Sequence, residues 1–402
     1  MRLSYTDLFA EIERAKPIDL LSELIRIPSH RGLERQEEGV ALALGAYLES
    51  HGLEVSLEEV VEGRPNLICT LEGEGRGRHV LLCGHTDMVP LNEGDEGVGF
   101  SGLVRDGWVE GRGSVDMKGA LAAMAATMVA LHRSNALEGG RVTLAAVIDE
   151  EMESLGAEHL VATGFKADGA VVGEPTENRL NLGHKGLEWI EFQFEGKAAH
   201  GGTPMAGINA IDAAARFIEL AKTELVSRFP DRADSLLGPP TLNFGTIQGG
   251  DQPSTVAAFC ALTADRRSVP GEDFDSMTEE FRTLLDRVES EMPGLVTRLR
   301  RVPGGMATLE HVALKTPADD PIALSVSRAA REVLGSVGEP GDFPAWTDGA
   351  LLAEFGGIPT VILGPGDLHL AHSPREAVEV EQVLEAARLY ALGALEFCQG
   401  KE

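Results

Sequence analysis

Residues 80–87 read Val80-Leu81-Leu82-Cys83-Gly84-His85-Thr86-Asp87, an apolar run that ends at once in an imidazole and a carboxylate. A short continuous apolar run of this kind suits a strand buried on both faces, the usual state of strands in parallel sheets. In open α/β sheets, ligands bind beyond the carboxyl ends of the strands. The place of His85 and Asp87 therefore matters as much as their chemistry. The pattern recurs: residues 142–148 run into Asp149-Glu150-Glu151, residues 170–173 into Glu174-Pro175-Thr176, and residues 361–366 are followed by His369 and His372. Between them, Gly111-Arg112-Gly113-Ser114-Val115 leads to Asp116 and a helix opening at Lys118-Gly119. Side chains far apart in the chain would converge on one pocket.

Outward from that stretch, helix and strand signals alternate. Helical patterns cover 8–25 and 34–51, the second closed by Gly52 in the position of a C′ glycine. Strand-like runs are 66–71, 79–83, 142–148, 170–172 and 360–363, mostly separated by helices, which indicates an α/β domain with a largely parallel sheet. Gly73-Glu74-Gly75-Arg76-Gly77 reads as a hairpin loop. The middle of the chain has another rhythm: an alternating strand at 187–194, a helix at 209–227, strands at 241–247 and 255–265, a helix at 274–291 and a strand at 295–302. That β-α-β-β-α-β order is the ferredoxin-like split unit. It predicts an inserted α+β domain at 184–300, with 1–183 and 301–402 together forming the first domain.

Composition excludes more than it identifies. With 35 basic and 64 acidic residues in 402, the formal net charge is −29, a field that repels phosphate backbones and anionic membranes. Neither nucleic acid nor a bilayer is expected as a partner. The N-terminal stretch carries acids where a signal peptide needs an apolar run. The longest apolar run, 120–131, is too short to span a membrane and reads as a buried helix. Four cysteines without CxxC spacing suggest neither a disulfide scaffold nor a thiolate zinc site, and Cys83 reads as core. Cytoplasmic residence is the expectation. No GxSxG, GxxxxGK[ST], HExxH or strand-to-helix GxGxxG motif competes.

The residue types suit a two-metal hydrolase. Imidazole and carboxylate bind Zn²⁺, Co²⁺ or Mn²⁺, and two-metal sites use such ligands to activate water. Three ligating carboxylates and one hydroxide balance two divalent cations, leaving a further carboxylate free to act as a base. Any one of these acids alone is more often a turn or helix cap. Their joint order, with the glycines around Asp116, argues for a site.

The segments GHTDMVP, GRGSVDMKG, IDEEMESLGA, GEPT, GKAAHGGTPMAGINA, DRRSVPGE, GIPTVILGPG and AHSPREAV occur in that order across nearly the whole chain. In this the chain resembles the dinuclear zinc metallopeptidase family of acetylornithine deacetylase, succinyl-diaminopimelate desuccinylase, aminoacylase and glutamate carboxypeptidase. The resemblance implies metal ligands His85, Asp116, Glu151, Glu174 and His372, with Asp116 bridging two divalent ions, Zn²⁺ first and Co²⁺ or Mn²⁺ as alternatives. It implies Glu150 as general base, Asp87 as the carboxylate orienting His85, and His200 as the oxyanion donor, supplied by a partner subunit through a lid and dimerisation domain. Arg267 matches an arginine that contacts the substrate carboxylate, and Ser254 and Gly364 fall at substrate-contacting positions. His369 lies outside the pattern and reads as structural.

One departure bears on specificity. Where many relatives carry Asn before a Val-Pro pair, this chain has Ser254-Thr255-Val256-Ala257. The implied activity is hydrolysis of the amide bond of an N-acyl amino acid, with a dipeptidase or carboxypeptidase of the same family as the alternative. A catalytically silent metal-binding scaffold is the reading different in kind, and Glu150 beside a full ligand set argues against it.

Overall fold

The computed structural model describes residues 5–92, 99–303, 309–335 and 338–400. The chain divides into two compact units, Met1–Gly183 with Leu314–Glu402, and His184–Ala313.

In the first unit the apolar runs become one large sheet. Its order is Val55–Val61, Arg64–Glu72, Gly139–Val147, Gly75–His85, Gly169–Val172, Thr360–Ile362, Asn181–His184 and Leu314–Lys315, with Gly341–Phe343 paired to Asn181–His184. The centre is parallel: Gly75–His85 pairs in parallel with Gly139–Val147 on one side and Gly169–Val172 on the other, and Thr360–Ile362 continues the parallel run. The strands flanking this centre are antiparallel. Val80, Leu81, Leu82 and Cys83 are all buried, as strands covered on both faces require. Register places His85 opposite Val147 and Cys83 opposite Val172, so the carboxyl ends of three strands finish within two residues of one another.

The helix Gly119–Ser134 packs on this sheet and is apolar all round, with every residue from Gly119 to Leu131 buried. The segment Ser114–Ser134, which includes it, is long and apolar enough to cross a membrane by composition, but its whole apolar window is enclosed by protein. That is the pattern of a core helix. Two local expectations are corrected. The helix expected over 8–25 is two helices, Tyr5–Arg14 and Pro17–Ile25, because Pro17 restricts the residue before it and Lys16 takes a left-handed φ of 54°. The glycine-rich stretch 73–77 is no hairpin: Gly75 already belongs to a strand whose neighbour is Gly139–Val147. A Cβ on Gly77 would stand 2.3 Å from the Cys398 carbonyl oxygen, so the glycines permit close backbone approach.

The second unit has a four-stranded antiparallel sheet in the order Thr241–Gly249, Phe259–Arg267, Glu188–Glu195, Val296–Arg301. With helices Ala210–Leu220 and Phe274–Glu291 it has the ferredoxin-like order. Its core is aromatic, with Phe192 4.7 Å from Phe217 and 5.1 Å from Phe281 between ring centroids. The strand expected from 255 begins at Phe259; Thr255 instead bridges His200. The unit runs on to Ala313, where the Leu187 amide donates to the His311 carbonyl at 2.8 Å.

Candidate metal centre

Neighbouring strand ends bring the ligand-type side chains of the first unit together. His85 ends its strand, Glu150 and Glu151 follow Gly139–Val147, Glu174 follows Gly169–Val172, and Asp116 sits in the glycine-flanked turn before the buried helix. His372 arrives from the segment after Thr360–Ile362 with φ 59°. Two triads result: His85, Asp116 and Glu174, and Asp116, Glu151 and His372, the ligand atoms of each lying within 4.8 Å of one another. Asp116 belongs to both. Its Oδ1 accepts from His85 Nε2 at 2.9 Å, while Oδ2 lies 3.3 Å from His372 Nε2. His372 also reaches Glu151 Oε1 at 3.1 Å, and Glu174 Oε1 is 3.9 Å from His85 Nε2.

The electrostatics are those of crowded acids. Burial, with Glu174 adding, pushes the Glu150 carboxyl well up, and burial with Asp116 does the same for Glu174. Glu151 is raised by burial and Asp116. Burial opposes the charge on His85, yet its bonds to Asp116 and Asp87 hold its pKa well above the ordinary value. His372 is pushed up to about 10 by its bonds to Asp116 and Glu151. Asp116 moves down: burial would raise it, but the two histidines outweigh burial. The donor set fits two divalent cations on a further ground. Glu174 Oε1 is buried and accepts no hydrogen bond, an arrangement that costs energy unless a cation satisfies it.

Asp87 holds more than a histidine. Its backbone carbonyl accepts from His85 Nδ1 at 3.0 Å, with the carboxylate at 3.4 Å. That carboxylate accepts the Glu150 amide at 3.1 Å and the Glu151 amide at 3.0 Å. Asp87 therefore aims the acidic pair as well as the imidazole. Gly364 is buried, and a Cβ there would stand 2.2 Å from the Gly173 carbonyl oxygen. Its amide donates to Thr176 Oγ1 at 3.1 Å and its carbonyl accepts from Thr176 and Asn178. With both backbone groups engaged, Gly364 seats the Gly173-Glu174 strand end. His369 is exposed on the turn Leu368–Leu370.

His200, Ser254 and Arg267 belong to the second unit. The Gly202 amide donates to His200 Nδ1 at 3.0 Å, which leaves the proton of a neutral ring on Nε2, free to donate outward. Ser254 is a close neighbour of that turn, its carbonyl accepting the Gly201 amide at 2.7 Å. Arg267 ends the strand Phe259–Arg267 and forks onto Asp265 at 2.8 and 3.0 Å. Arg266 alternates to the other face and is buried, its guanidinium 4.6 Å from the Phe229 ring centroid.

Some supporting residues were not anticipated. Glu376 Oε1 accepts the Gly113, Val115 and Asp116 amides at 2.8, 3.1 and 3.4 Å, and Oε2 accepts Arg112 Nη1 at 2.7 Å. It lies in the same short segment as His372, which was the available signal. Asp348 is buried with Oδ1 unpartnered, and burial pushes its carboxyl up to about 7. Nothing local in Thr347-Asp348-Gly349 marks it.

Comparison with known proteins agrees with this geometry. The sequence model of peptidase family M20/M25/M40 matches residues 81–396. An acetylornithine deacetylase of Aliivibrio fischeri (strain MJ11) is 32% identical over 342 residues, covering 83% of this chain and 84% of that protein. Another, from Edwardsiella ictaluri, is 30% identical over 400 residues, with 95% and 98% covered. Among solved structures, the aminopeptidase PepT of Bacillus cereus matches with a TM-score of 0.79 at 23% identity, covering 96% of this chain and 98% of that one.

Proposed function

This chain belongs to peptidase family M20/M25/M40, a membership that makes it a hydrolase of amide bonds, and we propose that it removes the acyl group from an N-acyl amino acid, as its acetylornithine deacetylase relatives do. The observation that carries the reading is the division of Asp116, one oxygen toward each triad. We assign His85, Asp116 and Glu174 to one divalent cation and Asp116, Glu151 and His372 to a second, with Zn²⁺ as the physiological ion. Such a pair, when bound, acidifies water and polarises an amide carbonyl.

The remaining work falls to the chain. Glu150, next to the ligand Glu151 and partly exposed, suits a base that accepts from the attacking water and returns the proton to the leaving nitrogen. His200 offers Nε2–H to the developing oxyanion. Arg267 takes the substrate carboxylate by a fork of charge-assisted bonds, with Ser254 contacting the substrate from beside His200. His200 and Arg267 stand at opposite ends of one strand pair. At the rise of a β-strand, the eight steps from Phe259 to Arg267 span roughly 26 Å, beyond the reach of one small substrate. That separation supports a homodimer in which His200, with Ser254 beside it, serves the partner's site.

The test is release of amine from a panel of N-acetyl amino acids, N-succinyl amino acids and dipeptides, using stripped protein with Zn²⁺, Co²⁺ or Mn²⁺ restored. Turnover confined to acyl amino acids supports the reading. Turnover of dipeptides alone would make it an exopeptidase, and none at all would leave a silent scaffold.

A further inference from the structure

The turn that carries Glu150 and Glu151 is gripped from three directions. Asn66 spans its base: Oδ1 accepts the Ile148 amide at 3.1 Å and Nδ2 donates to the Gly156 carbonyl at 2.9 Å. The Asp87 carboxylate takes the Glu150 and Glu151 amides. The third grip is ionic. Arg64, two residues before Asn66 on the same strand, donates from Nη2 to Asp149 Oδ1 at 2.5 Å. The same guanidinium forks onto Glu37, Nε to Oε2 at 2.7 Å and Nη2 to Oε1 at 2.5 Å. The side chains of Glu37, Asp149 and Arg64 are 0%, 8% and 15% exposed, so this is an interior network with one cation between two anions.

Asp149 is where the chain leaves the strand. Its φ of 71° lies in the left-handed region, which among side chains with a Cβ is favoured chiefly for Asn and Asp. Its carbonyl accepts the amides of Met152, Glu153 and Ser154, so the turn closes back onto this one residue. Asp149 is also the first of three consecutive acids beside a cation site. Left free, its carboxylate would compete with Glu151 for the same positive charge. Arg64 removes it from that competition.

We propose that Arg64, backed by Glu37, is a positioning residue for the base: by holding the Asp149 carboxylate it sets the left-handed turn that aims Glu150 and keeps Asp149 away from the cations. This rests on the assignment of Glu150 above. Among the described residues the polar partners of the Arg64 side chain are Glu37 and Asp149, so its effect on the site passes through Asp149. A lysine supplies the charge but not the fork that meets Glu37 and Asp149 together.

The experiment uses the full, zinc-reconstituted chain as Arg64→Lys, Arg64→Gln, the pair Arg64→Gln/Asp149→Asn, and Glu150→Gln. Melting temperature, kcat, KM and zinc retention against a competing chelator are measured on each. In Arg64→Lys, kcat should fall about 10²-fold, the scale of a misplacement near 1 Å, with KM little changed. Zinc retention should weaken about 10-fold, because Glu151 shares the turn. The pair no longer buries an unmatched Asp149 charge, so its melting temperature should recover relative to Arg64→Gln while kcat stays low. Wild-type kcat and zinc retention in Arg64→Lys and the pair, with only melting lowered, would overturn the proposal and leave Arg64 a stability role. Wild-type turnover in Glu150→Gln would instead remove the base assignment, and the positioning role with it. The two failures differ in which variant keeps its rate.

Discussion

Asp116 faces two histidines at once, Oδ1 lying 2.9 Å from His85 Nε2 and Oδ2 3.3 Å from His372 Nε2. A carboxylate can serve two cations because both oxygens are donors of negative charge; an amide has only one. Asp116→Asn should therefore keep the fold but bind at most one cation per chain tightly. Turnover should fall more than about 10²-fold, beyond the usual loss from an outer-shell change. Elemental analysis after dialysis checks the stoichiometry. Two cations per chain with normal turnover would mean Asp116 does not bridge.

Removing the cations should lower the melting temperature, and more so as pH rises. Glu150, Glu151 and Glu174 have folded pKa values raised by burial, and bonds to Asp116 and Glu151 push His372 up to about 10. Groups raised in the folded state contribute stability below their unfolded values and lose it as pH climbs through the folded ones. The window opens near the ordinary carboxylate range of about 4.5 and closes near the His372 value. Asp116, shifted down, loses its contribution only in strong acid. Cations that bind the folded state alone add about 2.7 kcal/mol at a hundredfold excess over Kd. Thermal melts of stripped and loaded protein at pH 5.5, 7 and 8.5 should diverge progressively; curves that coincide at all three would count against the site.

Glu376 gathers the amides of the loop that presents Asp116 while paired to Arg112, both side chains 2% exposed. Glu376→Gln should weaken cation affinity 10- to 100-fold, the range for outer-shell partners. Glu376→Ala, which removes one partner of a buried ion pair, should also cost about 3–5 kcal/mol of stability. Calorimetric titration with Zn²⁺ and denaturant unfolding separate the two effects. Unchanged affinity in Glu376→Gln would make the loop self-supporting.

Asp265 occupies the guanidinium proposed for substrate. The pair is about a quarter exposed on each side, so solvent keeps its strength modest and exchange with a substrate carboxylate is feasible. Asp265→Asn should lower KM for acyl amino acids and leave their amide analogues unchanged, whereas Arg267→Ala should raise KM for the acids alone. Parallel shifts for acids and amides in both variants would assign Arg267 to structure.

Sharing of His200 between subunits is tested by co-expressing Glu150→Gln with His200→Ala, each inactive alone. A mixed dimer working in trans has one intact site. Random pairing makes about half the dimers mixed, so roughly a quarter of wild-type activity should return. No recovery from a demonstrated heterodimer means His200 acts within its own chain.

The sequence by itself determined which side chains could reach a common site. Strand-like runs ending in His85, Glu150, Glu151 and Glu174 carry a local signal, because apolar continuity and a terminal ligand are read a few residues at a time. The β-α-β-β-α-β rhythm of the second unit was legible for the same reason. Local signals failed where backbone met backbone from far along the chain: 73–77 runs against the start of the strand Gly139–Val147 instead of turning back on itself. Only the tertiary structure decided how the site is held. Register that sets His85 opposite Val147 and Cys83 opposite Val172 divides Asp116 between two triads. Long-range pairing also gives Asp87 the amides of Glu150 and Glu151, Glu376 the Asp116 loop, and Arg64 its two acids. A charged residue shows in its sequence neighbourhood only that it will need a partner if buried; which partner it meets is set by strand order, and strand order is a property of the whole fold.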